Sequence, residues 1–204
     1  AVASEAQALF RRGLELGAAD RWAEALELFR RSRVLVPRPS TVFNIGFALF
    51  RLGRFVQAIA ALDEYLALTQ TETSDLRIEA ARRRDEAIAS LAALTLELAP
   101  ETARLLVDGE VSDGEGSPRT ITLDPGRHVL FATADGYREG QLEISVLAAE
   151  HASRQLVLAP LVEAEPLPDT HEVSLIADPV FWVVAGALVG SAIVVLVGLV
   201  GLLP

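Results

Sequence analysis

The strongest constraint on this chain's fold is a correspondence between two stretches near its start. GLELGAADRWAEALELF from Gly13 aligns with GFALFRLGRFVQAIAAL from Gly46. Gly13 falls on Gly46, Trp22 on Phe55, Ala25 on Ala58 and Phe29 on Leu62, each pair 33 residues apart. A fixed period in the low thirties is the signature of stacked helical pairs. Each residue type has a physical reason. Gly lets the two helices of a pair approach, an aromatic wedges at their turn, and Ala again permits close contact. A large apolar residue one helical turn after the Ala fills the space beneath. The pattern predicts helices near Ser4–Leu16, Arg21–Val36, Thr41–Leu52 and Phe55–Leu68.

The linker TQTETSD then leads to a fifth expected helix, about Asp75 to Ser90, with Thr73 or Ser74 available as N-cap. Leu76, Ala80, Ala87, Ile88 and Leu91 recur at helical spacing, interrupted by Arg82, Arg83 and Arg84. Two repeats alone expose an apolar end, and stacked arrays need a terminal cap with a polar outer face. Helix five is read as that cap, and the arginine run as its solvated face.

From Leu94 the period changes to two: Leu94, Leu96 and Leu98 alternate with Thr95 and Glu97. Further strands are expected at Ala103–Val107, Thr120–Leu123, His128–Ala134, Gln141–Val146 and Ser153–Leu158. Turn chemistry such as Asp108-Gly109, Asp124-Pro125-Gly126 and Asp135-Gly136 separates them. Short strands with frequent turns predict a small antiparallel sandwich. Its expected core is Leu105, Val107, Ile121, Leu123, Val129, Phe131, Leu142, Ile144, Val146, Leu156 and Leu158.

The first region resembles the tetratricopeptide repeat, through Gly13, Trp22, Ala25, Phe29 and Pro37 in one copy and Gly46, Leu49, Phe55, Ala58 and Leu62 in the next. It departs from that pattern at Ser32, where Ala is usual, and in lacking a Pro after the second copy. The second region resembles a PEGA domain, a small β-sandwich of extracytoplasmic bacterial proteins. Val107-Asp108-Gly109, Gly116-Ser117-Pro118, Asp124-Pro125-Gly126-Arg127-His128 and Gly136-Tyr137 carry that match. Together the resemblances imply a periplasmic, membrane-anchored adaptor of the kind found in GC-rich bacteria such as myxobacteria.

The anchor is read from Val180–Leu203, VFWVVAGALVGSAIVVLVGLVGLL, which holds no charge. At helical rise it spans roughly 36 Å, enough to cross a ~30 Å hydrocarbon core. The expected fold class is therefore multi-domain, α then β. Helical repeats with a capping helix occupy 1–92, the sandwich 93–160, an acidic Pro-containing linker 161–179, and a single transmembrane helix 180–203. Within the span, Gly186, Gly190, Gly198 and Gly201 form a small-residue stripe suited to packing on another membrane helix. The chain has no Met, and Ala1-Val2-Ala3-Ser4 has the small residues found around a signal-peptidase cut. A removed leader is thus expected, which places the soluble domains in the periplasm and the span in the inner membrane. The alternative is a tail-anchored protein facing the cytosol.

All 18 basic residues are Arg, and there is no Cys, so no disulfide or thiolate site exists. Residues 1–98 hold 13 Arg against 13 acids, and residues 99–204 hold five Arg against 15, which carries the whole net charge of −10. An acidic second half speaks against nucleic acid as a ligand. The sequence contains no Gly-rich phosphate loop between strand and helix, and no Ser in a nucleophile setting. His128, His151 and His171 lie far apart; His128 is read as structural. The acids between Asp108 and Glu115 miss EF-hand spacing and are read as solvated hairpin turns. No enzyme activity, cofactor or metal is expected.

The candidate binding site is the groove lined by the first helix of each pair: Phe10, Leu14, Phe43, Asn44, Phe47 and Phe50, with Arg77 at the equivalent place on helix five. By resemblance, Asn44 and Arg77 sit where tetratricopeptide repeats grip a peptide backbone or terminal carboxylate. Phe10 and Leu14 stand where a complete carboxylate clamp has cations, so an apolar segment is the expected guest. These aromatics packing only between helices is the competing reading. The expected function is a non-enzymatic scaffold or accessory subunit that binds protein partners through its repeats and docks in a membrane complex. The alternative is an envelope-tethering protein holding cell-wall glycan or surface layer through the sandwich.

Overall fold

A computed structural model describes residues 1–161 apart from 72, 113 and 115. Five helices come first: α1 (Val2–Ala18), α2 (Trp22–Leu35), α3 (Pro39–Arg51), α4 (Phe55–Leu68) and α5 (Asp75–Ser90). α1 packs on α2, α2 on α3, α3 on α4, and α4 on α5. The repeat positions explain this order. A Cβ on Gly13 would lie 2.5 Å from the Phe29 ring, and one on Gly46 would lie 2.8 Å from Leu62 Cγ. Only glycine permits either approach, so the same contact closes both hairpins 33 residues apart. Ala25 and Ala58 are fully buried at the matching positions. Ser32, the departure from the repeat pattern, is buried and donates to Ala6 O at 2.8 Å, tying α2 to α1. Its hydroxyl is satisfied, so the polar substitution carries little penalty. α3 starts with Pro39, whose fixed φ suits a first turn. α5 is capped by Ser74, which accepts from Arg77 N.

Seven strands follow: β1 (Ala92–Ala99), β2 (Arg104–Val107), β3 (Glu110–Val111), β4 (Arg119–Leu123), β5 (Gly126–Thr133), β6 (Gly140–Val146) and β7 (His151–Val157). They form two sheets, in the orders β4-β1-β7 and β3-β2-β5-β6, which share one apolar core. Leu91 alone separates α5 from β1.

Three expectations are corrected here. The sheets are not all antiparallel: β1 and β7 pair in parallel, Ala93 beside His151 through Ala99 beside Val157. The reason lies at the helical end, where both strands begin. β1 runs directly out of α5, and β7 follows a turn whose Ala149 N–H donates to Ser90 O. Alternating hydrophobicity reports a strand's faces but not its direction, and the whole intervening chain serves as the crossover.

Second, β5 is turned by one residue. Val129 and Phe131 were expected inside, yet Leu130 and Ala132 are fully buried while Val129 is 39% exposed. A shift of one position moves every side chain to the opposite face. The pairing of Leu130 with Val107 and with Leu142, and the inward anchoring of His128, set the observed phase. Glu110–Val111, expected as turn, pairs with β2 as a short edge strand.

Third, the fold class is corrected for its transmembrane helix. Val180–Leu203 lies outside the described residues, as does nearly all of the 161–179 linker. Among the described residues no helix is long and apolar enough to cross a membrane. Even α1, at 17 residues, carries Glu5, Arg11, Arg12 and Glu15. The architecture is five helices followed by a mixed-sheet body.

Candidate functional site

Of the expected groove residues Phe43, Asn44, Phe47 and Phe50 lie on α3, Phe10 and Leu14 on α1 and Arg77 on α5, and most of them are engaged within the protein. Phe10 packs on Phe29 with ring centroids 5.7 Å apart. Phe43 is buried against Tyr65 at 5.3 Å and stacks on Phe47 at 6.3 Å. Phe50 meets Phe55 edge-on at 5.5 Å. Phe47 and Phe50 remain half-buried, and Leu14 is 44% exposed. Packing between helices and solvent access thus coexist along one row: Phe43 belongs to the core, while Phe47 and Phe50 show a face to water.

The two polar candidates are committed elsewhere. Asn44 Nδ2 donates to Ser40 O at 2.8 Å, a bond to its own helix. The Arg77 guanidinium donates to Leu66 O and to Thr69 Oγ1 at the end of α4. A cation on the last carbonyls of a helix satisfies orphan acceptors and complements the dipole. Arg77 is therefore a C-terminal cap for α4, and the two residues form no carboxylate clamp. Gly186, Gly190, Gly198 and Gly201 lie outside the described residues.

Three residues join the row that the groove expectation did not include. Trp22 meets Phe47 edge-on at 5.4 Å, and its indole N–H donates to Asp20 Oδ1 at 3.0 Å. Arg51 lies over the Trp22 ring at 4.9 Å and pairs with the same Asp20 oxygen at 2.9 Å. From α5, Arg83 lies 5.2 Å from the Phe50 ring centre and 5.5 Å from that of Phe47. Its charge is balanced by Glu79 at 2.7 Å and Glu86 at 3.1 Å. Guanidinium groups over ring faces gain from the ring quadrupole. Arg83 was expected on a solvated face; it turns inward, while Arg82 stays exposed between Glu79 and Glu86. Trp22 carried a visible signal as the repeat aromatic. Arg83 carried a weaker one, lying 33 residues after Phe50.

The outcome is a strip of half-open rings on α3, bordered by two neutralised cations. Such a strip offers apolar contact and ring faces, with no nucleophile or general base pointed at a common spot. Among the described residues no group of three or more His, Asp or Glu could hold a metal ion. In the sheet body, His128 is 8% exposed, with Nδ1 2.6 Å from Asp108 Oδ2 and Nε2 2.7 Å from Asp124 O. Partial burial pushes the Asp108 carboxyl up; the Val129 N–H and His128 outweigh it and hold the group below the ordinary aspartate value. Compared with known proteins, the sequence matches no family model and no curated protein.

Proposed function

We propose that this chain is a non-enzymatic adaptor that binds an apolar segment of a partner protein. On this reading the five helices are a tetratricopeptide-type array with α5 as its cap, and the two sheets are a PEGA-like module beside it. The observation that supports binding is the α3 strip: Phe47 and Phe50 present half-open rings between Trp22 with Arg51 and the α5 residue Arg83. Rings held rigid by their neighbours lose little entropy on contact, which is why aromatics and Arg recur as anchors at interfaces. Because Asp20, Glu79 and Glu86 neutralise the arginines, the strip favours apolar side chains over a free carboxylate.

Selection of displayed peptides on the full chain tests this reading, followed by affinity measurement by fluorescence anisotropy. Apolar sequences are expected, and Phe47→Asp should weaken them at least about tenfold, or about 1.4 kcal/mol. Phe50→Ala, at the other half-open ring, provides a second variant. Peptides that bind both folded variants as tightly as the parent chain would move the interface away from α3.

A second reading, an envelope tether acting through the sheets, draws on one cleft of about 300 Å³. Thr102, Arg104, Thr133, Asp135, Tyr137 and Glu139 line it, a set of hydroxyls and charges around one ring that suits a polyol. Sedimentation with purified wall material, lost on Tyr137→Ala, would favour this reading over the first.

A further inference from the structure

α4 starts at Phe55 with no side-chain cap from its own sequence. Its orphan Val56 N–H is met from far along the chain, by Asp124 Oδ1 at 2.9 Å, in the turn between β4 and β5. That turn is itself pinned. The Asp124 carbonyl oxygen lies 2.7 Å from His128 Nε2, and His128 Nδ1 lies 2.6 Å from Asp108 Oδ2. The second Asp108 oxygen accepts from Val129 N at 2.9 Å. A continuous path of polar contacts therefore runs from the turn between β2 and β3, through a buried imidazole, to the first turn of a helix.

Both partners of the ring are oxygen acceptors. A carbonyl has no proton to give, and an ionised carboxylate has none either. The two contacts are both hydrogen bonds only when both ring nitrogens carry protons. A neutral ring makes one of them and turns a lone pair towards oxygen at the other. Arg127, next to His128 on β5, pairs with Glu143 of β6 at 2.9 Å. The neighbour of His128 on β6 is the apolar Ile144. From the helical side come the partial positive charge of the α4 N-terminus and its N-cap residue, Arg54.

We infer that Asp108, His128 and Asp124 form a proton-dependent latch that fixes the helical array against the two-sheet body. The chain itself joins the two parts at Leu91, and the Ala149 N–H to Ser90 O bond lies at that same end. The latch holds a second point, the start of α4, and so sets the angle at which the α3 face stands relative to the sheets. His128 is a positioning residue here: it acts through Asp124.

The chain lacks Cys, so paired spin labels can be placed cleanly on the full protein. Arg31→Cys on α2 and Gln141→Cys on β6 are both at exposed positions. Double electron–electron resonance is then recorded at about pH 5.5 and about pH 8.5. A single narrow distance is expected at the lower pH, and loss of that narrow peak at the higher. Asp124→Ala should be broad at both values. Asp124→Asn keeps a side-chain oxygen for Val56 and the backbone carbonyl for His128, and should restore the pH response. His128→Phe should remove the response altogether, and circular dichroism checks that each variant is folded. A narrow distance that ignores pH, or that survives Asp124→Ala, would overturn the latch.

Discussion

In the helical array, many ion pairs join residues three or four apart on exposed faces, such as Arg12 with Glu15 and Arg30 with Glu27. Among the described residues of the sheet body, two charged or titratable groups are buried and gather oxygens of neighbouring turns and strands around them instead. Arg119, 9% exposed, donates to Ala103 O, Gly114 O and Gly116 O, and His128 bridges Asp108 and Asp124. Exposed pairs of the first kind contribute about 0–1 kcal/mol. Buried groups of the second kind cost more when a partner is lost, because the remaining donors or acceptors stay dry. The helices thus rest mainly on apolar spacing, and much of their local surface pairing is interchangeable. The sheets rely on a few polar side chains at fixed places.

The largest expected effect tests the phase of β5. Leu130→Ala should cost about 2–5 kcal/mol as a cavity mutation, whereas Val129→Ala should stay within about 0.5 kcal/mol. Urea unfolding of both variants separates them, and a larger loss for Val129→Ala would return β5 to the phase that alternation alone suggests. Next, Arg119→Met should lose about 1.5–3 kcal/mol by stranding three carbonyl oxygens. Arg30→Met, on the helical surface, should lose no more than about 0.5 kcal/mol. Similar losses for the two would erase the contrast between the halves.

In the helices the sensitive places are the repeat contacts. Gly13→Ala forces a methyl against the Phe29 ring, an overpacking cost of about 1–3 kcal/mol, offset by about 1 kcal/mol of helix propensity. A lowered melting temperature is expected; a raised one would mean that the hairpin can open without penalty.

The smallest effect is a pH dependence. The Asp108 carboxyl is held below its ordinary value in the folded protein, so its contribution is fully present above the unfolded value. That contribution fades as pH falls through the lower folded one. Asp108→Asn should flatten the acid limb of stability against pH, and an unchanged limb would assign that limb to other carboxylates.

These contrasts also explain what could be read in advance. The 33-residue spacing of Gly13 with Gly46 and of Ala25 with Ala58 placed the hairpins because close packing needs small residues at those points. α4 keeps the expected bounds, Phe55–Leu68. Strand positions were legible from alternation, but β1 beside β7 was not, since direction depends on where each strand enters. The phase of β5 was hidden for a similar reason. Arg127-His128-Val129-Leu130-Phe131-Ala132 offers an apolar residue on either face, and the pairing of Leu130, together with the inward hydrogen bonds of His128, decides between them. At the candidate site, the rings were legible from helical spacing. The roles of Asn44 and Arg77 were not, because a carbonyl one turn back takes the Asn44 amide and the end of α4 takes the Arg77 guanidinium. Arg83 was read as solvated because three arginines in a row do not reveal which one faces Phe47.

The proposed function rests on the α3 face, and hydrogen–deuterium exchange of the full chain tests that most directly. Exchange would be compared with and without a peptide selected on this protein. Slowed exchange centred on residues 43–51 and on the α5 segment around Arg83 is the predicted result. Slowed exchange confined to the strands, with α3 unchanged, would contradict the account.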